Sequence, residues 1–284
     1  MSEQAISAPN GASVERVPLG KRIWRLYVRF QRPILGIGGL LAFFLIWEYV
    51  GTSGLINPLF VSAPSKILRA GIRMIQQGDI WNDLYVSGTE FFIGFALAIV
   101  IGIPFGMLLG WYRTVYYIFD PFVSALNATP RIALTPLFII WFGIGIWSKV
   151  ALVFLGALFP IVLNTFSGVR TLDELLLRAA RSFGANDRQI FKTIVLPGSV
   201  PFILSGLRLG LGRALVGIVV GELVAATAGI GYEMAIAGAT FQTDKLFVNV
   251  LILTAFGVLF TEVLNHVEHR FDAWRPQHGG EPTA

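Results

Sequence analysis

The chain has 284 residues, 55% hydrophobic and 14% charged, with no cysteine and a formal net charge of +5. Soluble domains carry about 25% charged residues, so this balance excludes an ordinary water-soluble fold and fits one compact transmembrane domain. The lack of cysteine excludes disulfides, thiolate metal sites and cysteine catalysis, and basic residues beside apolar runs suit anionic lipid better than nucleic acid.

Residues 1–33 read as a cytoplasmic basic segment, polar to residue 15 and then holding Arg16, Lys21, Arg22, Arg25, Arg29 and Arg32 among Trp24, Tyr27 and Phe30. Such a stretch is expected to lie on the lipid surface, and nothing in it looks like a cleavable signal peptide. Residues 34–272 form the transmembrane domain, and 273–284 a cytoplasmic tail. A span needs about 20 mostly apolar residues. The first is predicted at Ile34–Val50, followed by an outer amphipathic helix near Ser65–Gln77 with Ile67, Leu68, Ile72 and Ile75 on one side. Span two covers Ser87–Leu109. Span three, Ile118–Phe142, is interrupted, because Pro130 and Pro136 remove backbone donors on either side of Arg131. Span four is Lys149–Val169 and span five Val200–Ala225. A Gly-rich outer loop, ATAGIGYEMAIAGATFQTD, leads to span six at Leu246–His266.

The fold class is therefore an all-α polytopic membrane protein with six transmembrane helices. Fourteen of the 22 Lys and Arg fall on segments sharing the N-terminus's side, and only Lys66, Arg69, Arg73, Lys149 and Lys245 on the other. The positive-inside rule places both termini, and the segment 171–197, in the cytoplasm.

That segment is a charged island in an apolar chain. Thr171 and Glu174 have capping-box spacing, and Leu172, Leu175, Leu176, Ala179, Ala180 and Phe183 repeat as one helical face. Gly184 suits a left-handed helix stop, and Asn186 with Gln189 starts a second helix predicted to end at Pro197. The pattern alone allows a lipid-surface connector, a helix-turn-helix DNA reader or a dock for a cytoplasmic partner. Tethering between two spans argues against the DNA reader.

Ionisable groups within spans are functional candidates. Arg131, Arg208, Arg213 and Glu222 are candidates for a pathway or gate. Glu48 and Glu90 suit internal pairing, for instance Glu90 with Arg131. The repeats Gly102-Gly106-Gly110, Gly206-Gly210 and Gly217-Gly221 allow close helix contacts, within the subunit or across a dimer. There is no G-x-x-x-x-G-K-[ST] phosphate loop, no H-E-x-x-H and no G-x-S-x-G, and the three histidines lie near the C-terminus. An enzyme is not expected, nor a metal site.

The spacing Ala179-Ala180, Gly184, Ile194, Leu196, Pro197 resembles the EAA motif of permease subunits of bacterial ABC importers. The stretches TPRIALTPLFIIWFGIGIWSK, FPIVLNTFSGVRTLD and ILSGLRLGLGRALVGIVVGELVAAT are similar to permeases of the nitrate/sulfonate/taurine subfamily, so the resemblance covers roughly residues 34–272. It implies a type I permease fold with two copies forming an inner-membrane pathway. A separate ABC ATPase would carry ATP and Mg, with no cofactor on this chain, and a periplasmic binding protein would deliver a small anionic solute. The motif's place as coupling helix implies that Glu174, Arg178, Ala179, Ala180, Gly184, Ile194 and Pro197 meet the ATPase. Arg178 departs from the motif's Glu, and a pair with an acidic residue of the cognate ATPase is expected there. The competing expectation is an ion-coupled secondary transporter using Glu48, Glu90 and Glu222.

Overall fold

The computed structural model describes residues 19–269. Arg16, Arg270, Arg275, His278 and the tail 273–284 lie outside them. Helix α1 runs Leu19–Thr52, so the backbone of the basic segment from residue 19 on is continuous with the first span rather than a separate surface element. Its apolar stretch Leu35–Thr52 is exposed along almost its whole length. The exception is its C-terminal end, where Gly51 packs on Ala63 and Trp47 Nε1 donates to the Ser62 carbonyl at 2.8 Å.

Helix α2, Pro64–Gln77, starts with proline at its first position, where no intrahelical N–H is needed. Its buried face is Ile67, Ala70 and Met74, packed with Ile80 and Val248. The predicted apolar side is therefore divided: Leu68, Ile72 and Ile75 point outward. Ala70 and Met74 follow Ile67 at i+3 and i+7, and these small or flexible side chains let α2 approach the last helix, which carries Val248, more closely than the bulky set would.

Helix α3 spans Asp79–Trp111 and α4 Arg113–Ala128. A turn of tight helix at Arg131–Leu134 leads to α5, Thr135–Phe142, and the chain bends by 90° between α4 and this pair. Pro130 begins the bend, and Pro136 sits within the first turn of α5, where its missing donor is harmless. Helix α6, Ile146–Arg170, is the hub, sandwiched between α3 and the later helix α9, Leu196–Ala225. Among the described residues five helices are long and apolar enough to cross a membrane, and the count is six when the bent pair is taken as one broken span.

All three glycine repeats face α6. A Cβ on Gly106 would lie 2.7 Å from the Val162 carbonyl oxygen, and one on Gly217 would lie 2.9 Å from that of Leu152. The close approach is thus within the subunit. Around it, Phe91, Phe95, Val153, Ala157, Ile161, Leu211 and Ile218 form the core.

After α6 come α7, Glu174–Ser182, and α8, Asp187–Ile190. Helix α8 does not stop at Pro197. It passes through one widened turn, Phe191–Val195, into α9, Leu196–Ala225, so a single 39-residue stretch runs from the aqueous segment through the fifth span. Proline cannot donate to the carbonyl four residues back. The turn before it opens so that Leu196 N–H bonds to the Phe191 carbonyl five residues earlier, and the helix continues. The predicted Gly-rich loop contains helix α10, Ile230–Ala239, launched from Gly229 at φ +118°, and α11, Thr243–His269, ends the described chain.

Candidate transport and coupling sites

The connection between α6 and α8 is built by local hydrogen bonds. Asp173, not Thr171, caps α7, its carboxylate accepting from Leu175 N–H at 2.7 Å. Thr171 remains at the end of α6, its hydroxyl donating to the Gly168 carbonyl, so the predicted Thr171–Glu174 capping box does not form. Gly184 holds φ +82° after α7, and a side chain there would strain the turn. Asn186 and Gln189 form the predicted reciprocal box at 2.9 and 2.8 Å.

The predicted single apolar face of α7 is divided in two. Leu172, Leu177, Ala180 and Ala185 pack on the core of the transmembrane domain. Leu175, Leu176, Ala179 and Phe183 face outward, with Phe183 92% exposed. An apolar ring held in water is costly unless something covers it. Arg178 binds Glu174 within its own helix at 2.6 Å, both side chains exposed. Ile194 and Pro197 are half-buried at the start of the long helix.

The 90° elbow creates a second feature. Arg131 donates to Asn127 Oδ1 at 2.9 Å and lies over the Phe159 ring at 5.3 Å. Together with Arg213 it lines a cavity of about 340 Å³ bounded by Thr129, Gly156, Gly212 and Gly217. Neither arginine has a carboxylate partner among the described residues. Volumes of about 300–1,000 Å³ are typical of small-molecule sites.

Arg208 and Glu222, the other two pathway candidates, are committed elsewhere. Arg208 is hydrogen-bonded to Asn265 Oδ1 at 2.6 Å and paired with Glu268, which ties α9 to α11. Glu222 is 1% exposed and accepts from Ser87 Oγ at 2.5 Å and from Gly231 N–H at 2.6 Å. Asp83 accepts from Gly229 N–H and Ser87 from Ile230 N–H, both at 2.8 Å. The first backbone donors of α10 are thereby satisfied by side chains of α3 and α9. Glu90 does not meet Arg131. Its partner is Lys149 at 3.4 Å, both side chains at most 4% exposed. The same ammonium donates to the carbonyls of Ile144, Gly145 and Ala225. Sequence reasoning missed this cluster; Lys149 read as an outer-loop cation because it stands at the edge of its span. Glu48 accepts from the hydroxyl and amide of Ser65, fastening α1 to α2.

Residues 102–273 match the family described as "Binding-protein-dependent transport system inner membrane component". Over 249 residues the chain is 34% identical to the taurine transport system permease protein TauC of Escherichia coli K12, covering 86% of this chain and 90% of that one. It is also 34% identical to the putative aliphatic sulfonates transport permease protein SsuC of Bacillus subtilis 168, covering 83% and 85%.

The chain belongs to this family of ABC importer permeases. The fold agrees: a chain of the inward-facing MetNI methionine ABC transporter superposes with a TM-score of 0.57 at 20% identity, covering 72% of this chain and 99% of the other. The permease is therefore a multi-pass inner-membrane component of a binding-protein-dependent transporter, and ATP hydrolysis belongs to a separate subunit. The family match sets aside the secondary-transporter expectation, and Glu48, Glu90 and Glu222 are each held by partners within the chain. Among the described residues no group of His, Asp and Glu could hold a metal.

Proposed function

We propose that the permease moves a small sulfonate-type anion, and that two copies form the pathway with both termini in the cytoplasm. The observation that carries the substrate class is the cavity at the elbow of the broken span, where Arg131 and Arg213 face the same space without a carboxylate between them. Two cations held close together in an apolar membrane domain repel one another and attract an anion. Asn127 and Thr129 add hydrogen-bonding groups to the same wall, and the taurine and sulfonate permeases among the relatives support this solute class.

On the cytoplasmic side the ATPase docks on the segment Thr171–Pro197. Leu175, Ala179 and Phe183 supply an outward apolar surface, the small Ala179 allows close backbone approach while Ala180 seats the helix on the core, and Gly184 sets the turn. Glu174 and Arg178 form the polar rim, with Arg178 already paired in cis and able to exchange Glu174 for an acidic partner. Ile194 and Pro197 carry the motion into the fifth span. ATP and Mg are held by the ATPase, so closing of the ATPase pair draws the two docks together and switches the spans between inward- and outward-facing packings.

Reconstituting the permease with its ATPase and a taurine-binding protein in proteoliposomes tests this reading. Wild type is expected to take up taurine with ATP. Charged hydrogen bonds are each worth about 1.5–3 kcal/mol, so R131Q or R213Q should lower uptake by about tenfold or more, with ATPase assembly unchanged. Unchanged anion uptake in R131Q/R213Q would sink the substrate assignment.

A further inference from the structure

A second cavity, of about 490 Å³, lies at the opposite end of α3 from the buried outer cluster, between Ile103–Tyr112 and the start of the long helix at Asp187–Lys192. Its chemistry is divided along its length. Ile103, Pro104, Met107 and Leu108 give one wall an apolar trough, which six residues of helix make about 9 Å long. Trp111 and Phe191 meet edge to face at 6.0 Å beside it, and Tyr112 is half exposed at the rim. The rim also holds Asp187, Arg188 and Lys192. Asp187 is engaged by Arg181 at 3.6 Å, whereas Arg188 and Lys192 have no ion-pair partner among the described residues. The mouth is therefore cationic.

We infer that this cavity is a binding site for one anionic phospholipid. An acyl chain fits the trough, because Leu108 and Pro104 are exposed within a membrane-spanning stretch where hydrocarbon is the solvent. The phosphate meets Arg188 and Lys192 at the depth where Trp and Tyr mark the head-group boundary. A free phosphate would use the two cations but leave the trough empty. An acidic protein segment would have to place a charge at the rim and an apolar side chain within the bilayer. A phospholipid carries both in one molecule.

The site also has a consequence for coupling. Phe191 opens the widened turn that joins the proposed dock to the fifth span, so the occupant braces that joint. This consequence rests on the docking reading; lipid binding itself does not.

The test uses the permease purified with its ATPase, equilibrated with mixed micelles of phosphatidylglycerol and phosphatidylcholine and examined by native mass spectrometry. Wild type is expected to retain phosphatidylglycerol selectively. Each base near a membrane surface is worth about fivefold in binding, so R188Q/K192Q should retain roughly 30-fold less. L108W, which fills the trough and keeps both cations, should lose retention as well, and glycerol phosphate should not displace the lipid. Size-exclusion profiles matching wild type exclude misfolding. Retention in both variants equal to wild type would overturn the site, as would displacement by glycerol phosphate, which would make it a site for a free phosphate. A photo-crosslinker at Leu108 that captures the ATPase or a second permease instead of lipid would also overturn it. If the ATPase fails to co-purify while phosphatidylglycerol stays bound, the docking reading fails and the lipid site stands.

Discussion

The two ends of this permease treat charge in opposite ways. At the end that the proposed orientation makes outer, Glu90, Lys149, Glu222, Ser87 and Asp83 are buried, and each is engaged by another part of the same chain. At the other end Arg178, Glu174, Arg181 and Asp187 are exposed, their pairs lie within one short helix–turn–helix, and Phe183 projects from among them. Buried charge without a partner is expensive, whereas exposed pairs contribute little. The first end is thus closed chemically by its own side chains, and the second keeps an exposed apolar surface on which the proposed docking rests.

The largest test of this contrast is K149M. It strands Glu90 in a buried site, and breaking a buried pair costs about 3–5 kcal/mol. The solubilised permease should unfold at markedly lower temperature, with recovery in K149M/E90Q. An unshifted unfolding temperature in K149M would show that the outer end is not locked by this pair. Next is F183A. Removing an apolar anchor at a protein interface costs about 2 kcal/mol or more, roughly 30-fold in affinity. ATPase association measured by surface-coupled binding should fall by that factor, while the unfolding temperature of the isolated permease stays put.

S87A removes one hydroxyl that serves both Glu222 and Ile230 N–H, leaving buried groups unsatisfied at about 1–3 kcal/mol. Hydrogen exchange at the start of α10 should accelerate more than elsewhere. The smallest effect belongs to R178Q, since an exposed i,i+4 pair is worth about 0.3–0.5 kcal/mol. Stability should not change measurably. A drop in ATPase affinity for R178Q would show that Arg178 trades Glu174 for a partner across the interface, and unchanged affinity would confine its role to α7.

These regions also differ in how far their sequence disclosed them. The inner segment is local: Gly184, Asn186 and Gln189 act on neighbours within four residues, and their spacing announced the turn and the second cap. Asp173 displaced Thr171 as the first cap because the last turn of α6 extends to Arg170 and keeps Thr171 bonded to Gly168. The outer cluster is assembled from residues 83 to 231, and no periodicity reveals that Glu90 faces Lys149 rather than Arg131. The Gly-rich stretch after residue 225 concealed α10 because a helix only ten residues long owes its stability to caps contributed by distant helices. The six spans were legible because hydrocarbon imposes length and polarity on each segment independently. The elbow was legible from Pro130 and Pro136, but the company Arg131 keeps with Arg213 was not.

The uninterrupted helix from Asp187 to Ala225 has a mechanical meaning. At 1.5 Å per residue, its 39 residues measure about 58 Å, longer than the bilayer is thick. One end stands beside the turn where an ATPase would press, and Glu222 near the other grips the first turn of α10. Such a rod needs no relay of small side-chain shifts. A tilt of a few degrees imposed at its foot displaces its head by several ångströms, at the opposite end of the molecule. The five-residue widened turn is then a point of give, a bearing set low on the shaft, and stiffening it would disconnect the two faces of the membrane without touching either.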